Sequence, residues 1–233
     1  MSRARDIADV IGVKLISPIV QTDSIKDDSG TRILASDSGS AWNWGSGLPS
    51  GSIVQVQSKQ YGTGSSETGN MTSLSTNTNY VVQASGNTSG GSATGILDVN
   101  ITPKIYGSKI WLQCHWFGEL SADRTYNSVF FFWRNSIKLA SGVTHGSIAI
   151  GNTGISMATR TFYEANDATT PEILNMQYFD THGQTQSEIN TGTQITYKLG
   201  FATISSTQLT TNRCIDFSDE VGVSSICAIE LAP

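Results

Sequence analysis

The chain is short of charge, cysteine, histidine and proline. Of its 233 residues 14% are Asp, Glu, Lys or Arg, and the formal net charge is -5 with a pI near 5.1. A protein that neutralises phosphates needs a basic stripe; scattered Lys and Arg on an acidic chain do not supply one, so no nucleic-acid partner is expected. No apolar run reaches the ~20 residues of a membrane-crossing helix, and no membrane insertion is expected either. Asp6 and Asp9 interrupt the first apolar stretch, MSRARDIADVIG, which therefore does not read as a signal peptide. The expectation is synthesis in a cytoplasm.

The same scarcity limits the chemistry. Cys114, Cys214 and Cys227 have no CxxC or Cys/His spacing, and His115, His145 and His182 share no metal or triad motif. Small buried reduced thiols are the expectation, with a disulfide between two of them left open. Asp180-Thr-His182 has a ligand-like spacing but is a lone pair. There is no GxSxG elbow. The glycine-rich SGNTSGGSATG lacks the Lys-Ser/Thr ending of a phosphate-binding loop and reads as a turn or exposed loop. Glu119, Asp123, Glu164, Asp167 and Asp180 are candidates for a glycosidase acid and base pair only if the fold brings two of them together. No cofactor, no metal and no catalytic residue are expected.

What the chain has in abundance is Gly, Ser, Thr and Asn, the residues of turns and pleated surfaces. Short strands follow at near-regular spacing without a long helical period. The segment 96–103 alternates cleanly, as does 194–202, where Ile195, Tyr197, Leu199 and Phe201 oppose Thr196, Lys198 and Gly200. Further strands are predicted at 53–56, 81–84, 147–150, 155–162, 174–179 and 224–231. The central stretch is 101–120, ITPKIYGSKIWLQCHWFGEL. Ile110, Leu112, Cys114 and Trp116 share one parity; Trp111, Gln113, His115 and Phe117 share the other. Bulk on both parities means that both faces need cover, from a second layer of the fold or from a partner subunit. The aromatic run 126–133 is its expected hairpin neighbour. These features predict an all-β protein with a jelly-roll-like β-sandwich.

The first fifty residues differ in texture. Residues 2–12 follow helical spacing through Ala4, Ile7, Val10 and Ile11, with Ser2 as cap and Gly12 as stop. So short a helix is marginal alone, and Ile7, Val10 and Ile11 are candidate docking residues. Residues 14–50 alternate apolar pairs with Asp/Ser/Gly turns, a thin β segment that buries little by itself. The predicted divisions are 1–13 (docking helix), 14–50 (thin β shaft or linker) and 51–233 (sandwich head). Trp42 and Trp44, beside Gly45 and Gly47, either stack on sugar or plug a barrel end or subunit seam. With Tyr61, Tyr163 and Asp167 they form the candidate glycan-binding set, because long polar loops on a β scaffold are common binding sites.

Several segments, in order, resemble structural and tail-fibre proteins of tailed bacteriophages. SRARDIADVIG is similar to their N-terminal helix, and TDSIKDDSGTRILASDSGS followed by LPSGSIVQVQS to their thin β repeat leading into a head. ITPKIYGSKIWLQ and the closing SSICAIELAP are similar to their recurring strands. Cys114-His115-Trp116 and the double-Trp segment depart from that pattern. The resemblance implies a non-enzymatic homotrimer located in the virion. Its N-terminus would attach to other phage tail or capsid proteins, and its β head would face a host surface glycan or protein. A head-decoration or tail-adaptor protein without a receptor role is one alternative, and a tailspike-like glycan-degrading enzyme is another.

Overall fold

A computed structural model describes residues 24–26, 32–36, 42–44, 48–62, 68–121, 128–141, 154–155, 171–203, 207–215 and 220–233. Residues 24–26, 32–36 and 42–44 are described as backbone only. The predicted helix at 2–12, with Ile7, Val10 and Ile11, lies outside the described residues, as do the predicted strand 147–150 and nearly all of 155–162.

The chain divides into two compact units, 1–49 and 50–233. In the first, β1 (Ser24–Lys26), β2 (Arg32–Ser36) and β3 (Trp42–Trp44) form a three-stranded antiparallel sheet in chain order.

The second unit is an all-β sandwich of two antiparallel sheets. The larger sheet is built around β8 (Lys109–Leu120). One edge of β8 pairs β14 (Ser224–Leu231) and then β13 (Thr207–Thr211); the other pairs β11 (Glu172–Asp180). Strand β4 (Ile53–Tyr61) lies outside β14, and β5 (Gly69–Leu74) outside β13. The smaller sheet is built around β12 (Ile195–Thr203), with β9 (Ser128–Arg134) on one edge. Strands β6 (Thr78–Val81) and β7 (Asp98–Ile101) share the other edge, and β10 (Ile137–Lys138) turns back on β9.

The inner faces meet in one core. Ile110, Leu112, Cys114 and Trp116 of β8 oppose Phe130 and Phe132 of β9 and Tyr197, Leu199 and Phe201 of β12. Trp116 and Phe130 pack at 4.9 Å between ring centroids, and Phe130 meets Phe201 edge-on at 5.1 Å. The expected β8–β9 hairpin is therefore replaced by a crossover from one sheet to the other. Each strand carries large rings on its inward parity, and facing them across the sandwich removes both sets from water, whereas pairing them side by side would still require a second layer.

Two strands, β5 and β13, fall where the sequence shows little apolar alternation. In β13 the buried positions include Thr207, Thr210 and Thr211, and the Thr211 hydroxyl accepts from the Trp116 indole N–H at 3.0 Å. Threonine fills an inward site here because that buried N–H needs an acceptor. The one described helix, α1 (Gln186–Thr191), starts at a capping box: Glu188 N–H donates to Thr185 Oγ1, and Thr185 N–H donates to Glu188 Oε2 at 2.8 Å. Gly192, at φ 69°, closes it in the left-handed region.

Candidate recognition face

The two sheets treat their outward faces differently. On the smaller sheet Phe131, Trp133, Val81 and Ala202 point away from the core yet are buried with Ala93. Part of their cover comes from the glycine-rich segment read as an exposed loop. Its Gly91 lies so close over Trp133 that a Cβ there would sit 2.5 Å from the indole. Lys198, on the same face, donates to the carbonyls of Gly91 and Ala93, and burial pulls its pKa below the ordinary lysine value. Gly200 is equally constrained, because the Phe131 ring lies across it. Residues 84–89 remain exposed; the segment's second half is a lid.

On the larger sheet the outward side chains form cross-strand rows. Phe179, Trp111, Ile229 and Val56 align across β11, β8, β14 and β4. The next two rows are polar: Gln177, Gln113, Cys227 and Ser58, then Asn175, His115, Ser225 and Gln60. Beyond them Ile173 pairs with Phe117, whose ring rests on Gly222. The face is thus a polar band between apolar rows. Phe179 is 52% exposed and Ile173 51%. Phe179 stacks on Trp111 at 5.6 Å with the planes 13° apart. The Trp111 indole N–H is shielded from water and has no acceptor among the described residues, a condition that costs about 1–3 kcal/mol.

The polar band is a shallow depression of about 420 Å³, lined by Gln113, His115, Asn175, Gln177, Ser225 and Cys227, with Cys114 and Met176, which belong to the inward parity, beneath. Asn175 Oδ1 lies 2.8 Å from His115 Nδ1, and since an amide oxygen can only accept, the imidazole N–H donates to it and the Asn175 NH2 group keeps its own donors. Among the described residues no hydrogen bond engages the side-chain amides of Gln113 and Gln177. Each amide therefore offers both a donor pair and an acceptor. No charged residue lines the depression.

A second polar cluster sits at one end of the sandwich and is built for support. The Glu230 carboxylate is fully buried. It accepts from Lys104 N–H at 2.8 Å, Ile105 N–H at 3.0 Å, Ser108 Oγ at 2.7 Å and Gln55 Nε2 at 2.6 Å. Ser108 also lies 3.2 Å from His182 Nε2, while His182 Nδ1 accepts from Gln184 N–H. That last bond puts the ring proton on Nε2, so His182 donates to a serine whose own proton goes to Glu230. A nucleophile-activating triad needs the reverse: an unprotonated Nε2 receiving the serine proton. Burial lowers the His182 pKa against the opposing pull of Asp180 and Glu230, which keeps the ring neutral as this bonding requires. Asp180 is held by Arg134 at 2.9 and 3.1 Å and by the Tyr197 hydroxyl at 2.7 Å, so Asp180 and His182 do not converge on one point. The Tyr197 hydroxyl pKa is raised by burial and by Asp180.

The three cysteines form no disulfide. Cys114 and Cys227 occupy adjacent strands but opposite faces, because Cys227 pairs with Gln113 and Cys114 with Ile226. Burial raises the Cys114 thiol well above its ordinary range and, with a hydrogen bond to Glu220, pushes Cys214 up to about 12. None of these thiols is poised as a nucleophile. Among the described residues no group of three or more His, Cys, Asp and Glu could hold a metal ion.

Of the sequence-derived glycan set, Trp42 and Trp44 lie on β3, with side chains outside the described residues, and Tyr163 and Asp167 are outside them altogether. Tyr61 ends β4, half-buried against the core, and its carbonyl accepts from Asn212. Of the carboxylates weighed as an acid and base, Glu119 is buried and accepts from Ile215 N–H, Asp180 is held as above, and Asp123 and Glu164 are outside the described residues. The amide band was missed in the sequence because Gln and Asn carry no motif. The signal that could have found it is the parity of β8 itself, where Gln113 and His115 interrupt an aromatic row.

No family model matches the chain, and no curated protein matches it significantly. No described helix is long and apolar enough to cross a membrane.

Proposed function

We propose that this chain is a virion fibre protein of a tailed bacteriophage that acts by binding, with a jelly-roll-like head presented to the host cell surface. Its N-terminal segments attach it to other phage tail or capsid proteins and gather three copies. The observation that carries this reading is the outward face of the larger sheet. It is a rigid, uncharged surface of amides and aromatic rings that the described chain leaves open, next to a smaller sheet whose equivalent face is sealed. The ordered resemblance of the N-terminal segments to phage fibre proteins supports the location. The reversed proton order in Ser108, His182 and Glu230 supports binding over catalysis at the one place where a serine, a histidine and a carboxylate meet among the described residues. Weak binding by each head suffices, because several copies on one particle raise the effective affinity by orders of magnitude.

Gold-labelled antibody against the chain should decorate the tail of purified particles, and soluble protein should compete with those particles for adsorption to host cells. Labelling spread over the capsid lattice, with no competition, would reassign the chain to head decoration. Shortened host polysaccharide after incubation with purified protein would reassign it to the glycan-degrading enzymes.

A further inference from the structure

We infer that the amide band on the outward face of the larger sheet is a binding site for an uncharged oligosaccharide, seated across Gln113, Gln177, His115 and Asn175 and flanked by Phe179 and Trp111. The inference deepens the proposed function and rests on it for the source of the glycan, but the site is argued from its own chemistry.

Polarity across the face is the first argument. A protein–protein interface is apolar at its centre and polar at its rim, because the centre is where water is fully expelled. Here the order is inverted. Two rows of polar side chains occupy the middle, and the apolar rows through Phe179 and Ile173 lie to either side. Packing another protein flat on this face would bury the Gln113 and Gln177 amides at the point hardest to hydrate. A sugar presents the complementary pattern: a perimeter of hydroxyls, each able to donate and accept, and apolar C–H patches on the ring faces. Carboxamides that still have both functions to offer match the first, and half-exposed aromatic rings match the second.

Charge is the second argument. No Asp, Glu, Lys or Arg lines the depression, and the charged residues on the outward parity of β8 are Lys109 at the strand's start and the buried Glu119 near its end, each beyond a flanking apolar row. Acidic glycans are recognised by cations, above all by the guanidinium fork, and the net charge of -5 would repel them at a distance. Geometry is the third. The band spans paired strands of the larger sheet, where the two-residue rise along each strand sets successive rows ~7 Å apart and hydrogen bonds set the spacing across strands, so little loop ordering opposes binding.

The test is an array of immobilised oligosaccharides bearing neutral hexoses and N-acetylhexosamines beside sialylated, uronic and sulfated ones. It is read with wild-type protein, with the double variant Gln113→Ala/Gln177→Ala, and with Phe179→Ala. Native folding is checked by thermal melting, and mass by sedimentation. Binding confined to uncharged glycans is expected, weakened at least tenfold in both variants and little changed between 50 mM and 500 mM salt. Binding to acidic glycans alone, binding unchanged in the folded variants, or no binding to any glycan would overturn the site. So would a variant that falls from oligomer to monomer, since the face would then be a subunit interface. Cell adsorption separates the two readings. If wild-type and double variant compete with particles equally well, the protein binds a receptor elsewhere and this site fails. If the array result holds but neither protein competes, the site stands and the receptor role fails.

Discussion

The two outward faces of the sandwich begin from the same sequence signature and end differently. Strand β9 has Phe131 and Trp133 on its outward parity, as β8 has Trp111 and Phe117, and by alternation each strand demands cover on both sides. On the smaller sheet the chain supplies that cover itself. Residues 91–95 fold back over the face, Gly91 admits the Trp133 ring, and Lys198 anchors the segment by its carbonyls. Trp133 also donates its indole N–H to Tyr80 O at 2.9 Å. On the larger sheet Trp111 stacks on a half-exposed Phe179, its N–H lacks an acceptor among the described residues, and the rows between are amides. The described residues cover one face and leave the other open. Bulk on both parities of a strand thus states a need for cover and is silent on who provides it.

The comparison is broken most completely by removing the layer that both sheets share. Trp116 is fully buried between them, and Trp116→Ala should cost about 3–5 kcal/mol, measured as a lower denaturant midpoint with both faces lost together. A loss under about 1 kcal/mol would mean that the sheets are not held by this contact.

The covered face is the next target. Gly91→Val drives a branched side chain into Trp133, and overpacking of this kind costs about 1–3 kcal/mol. Hydrogen exchange should accelerate along the outer edge of β6 and at β10 while β8 and β14 keep their protection. Equal acceleration in both sheets would show that the lid does not act on one face alone.

Acid should act on the end of the larger sheet. His182 is held neutral in the fold with its pKa below the ordinary 6.5, mainly by burial. Below that ordinary value the unfolded chain binds more protons than the folded one, so stability falls as pH drops from about 6.5 toward the lowered folded value. Protonation would also set an N–H at Nδ1 against the Gln184 N–H that it now accepts. The His182→Gln variant should lose this part of the pH dependence, read from denaturation midpoints between pH 5 and pH 7; a slope identical to wild type would rule His182 out as the cause.

The smallest effect is expected on the open face. Phe179→Ser removes a ring that is 52% exposed, and surface changes of this kind stay within about 0.5 kcal/mol. Stability should barely move, whereas the same substitution weakens glycan binding if the face is the recognition surface. A large stability loss would mean that Phe179 is a core residue in the protein as assembled.

Much of the fold was legible before the structure. The parity of 194–202 picks out Ile195, Tyr197, Leu199 and Phe201 of β12 as the side chains that enter the core between the sheets, and 224–231 was readable as the strand β14 though its alternation does not single out an inward face. β5 and β13 were harder to read, because Met71, Leu74 and Leu209 are separated by Gly, Thr and Ser, and buried threonines look polar in a sequence while acting as acceptors inside. The capping box from Thr185 to Glu188, with Gly192 after it, is a helix start and stop legible in the sequence, but the six residues between them are too few to show a helical period. The candidate site was the least legible part. Gln113, His115, Asn175 and Gln177 lie on two strands sixty residues apart in the chain, and only the register of β8 against β11 sets them side by side.

Composition and alternation alone determined that this protein is all-β, charge-poor and in need of cover on both sides of its central strands, because side-chain direction along a strand has a period of two and does not depend on what the strand meets. Which sheet each strand joined, which outward face the chain sealed with its own glycine-rich segment, and which amides came together were settled only by tertiary structure. Those outcomes depend on pairing register and on close approaches such as Gly91 over Trp133, and neither has a local signature in the sequence.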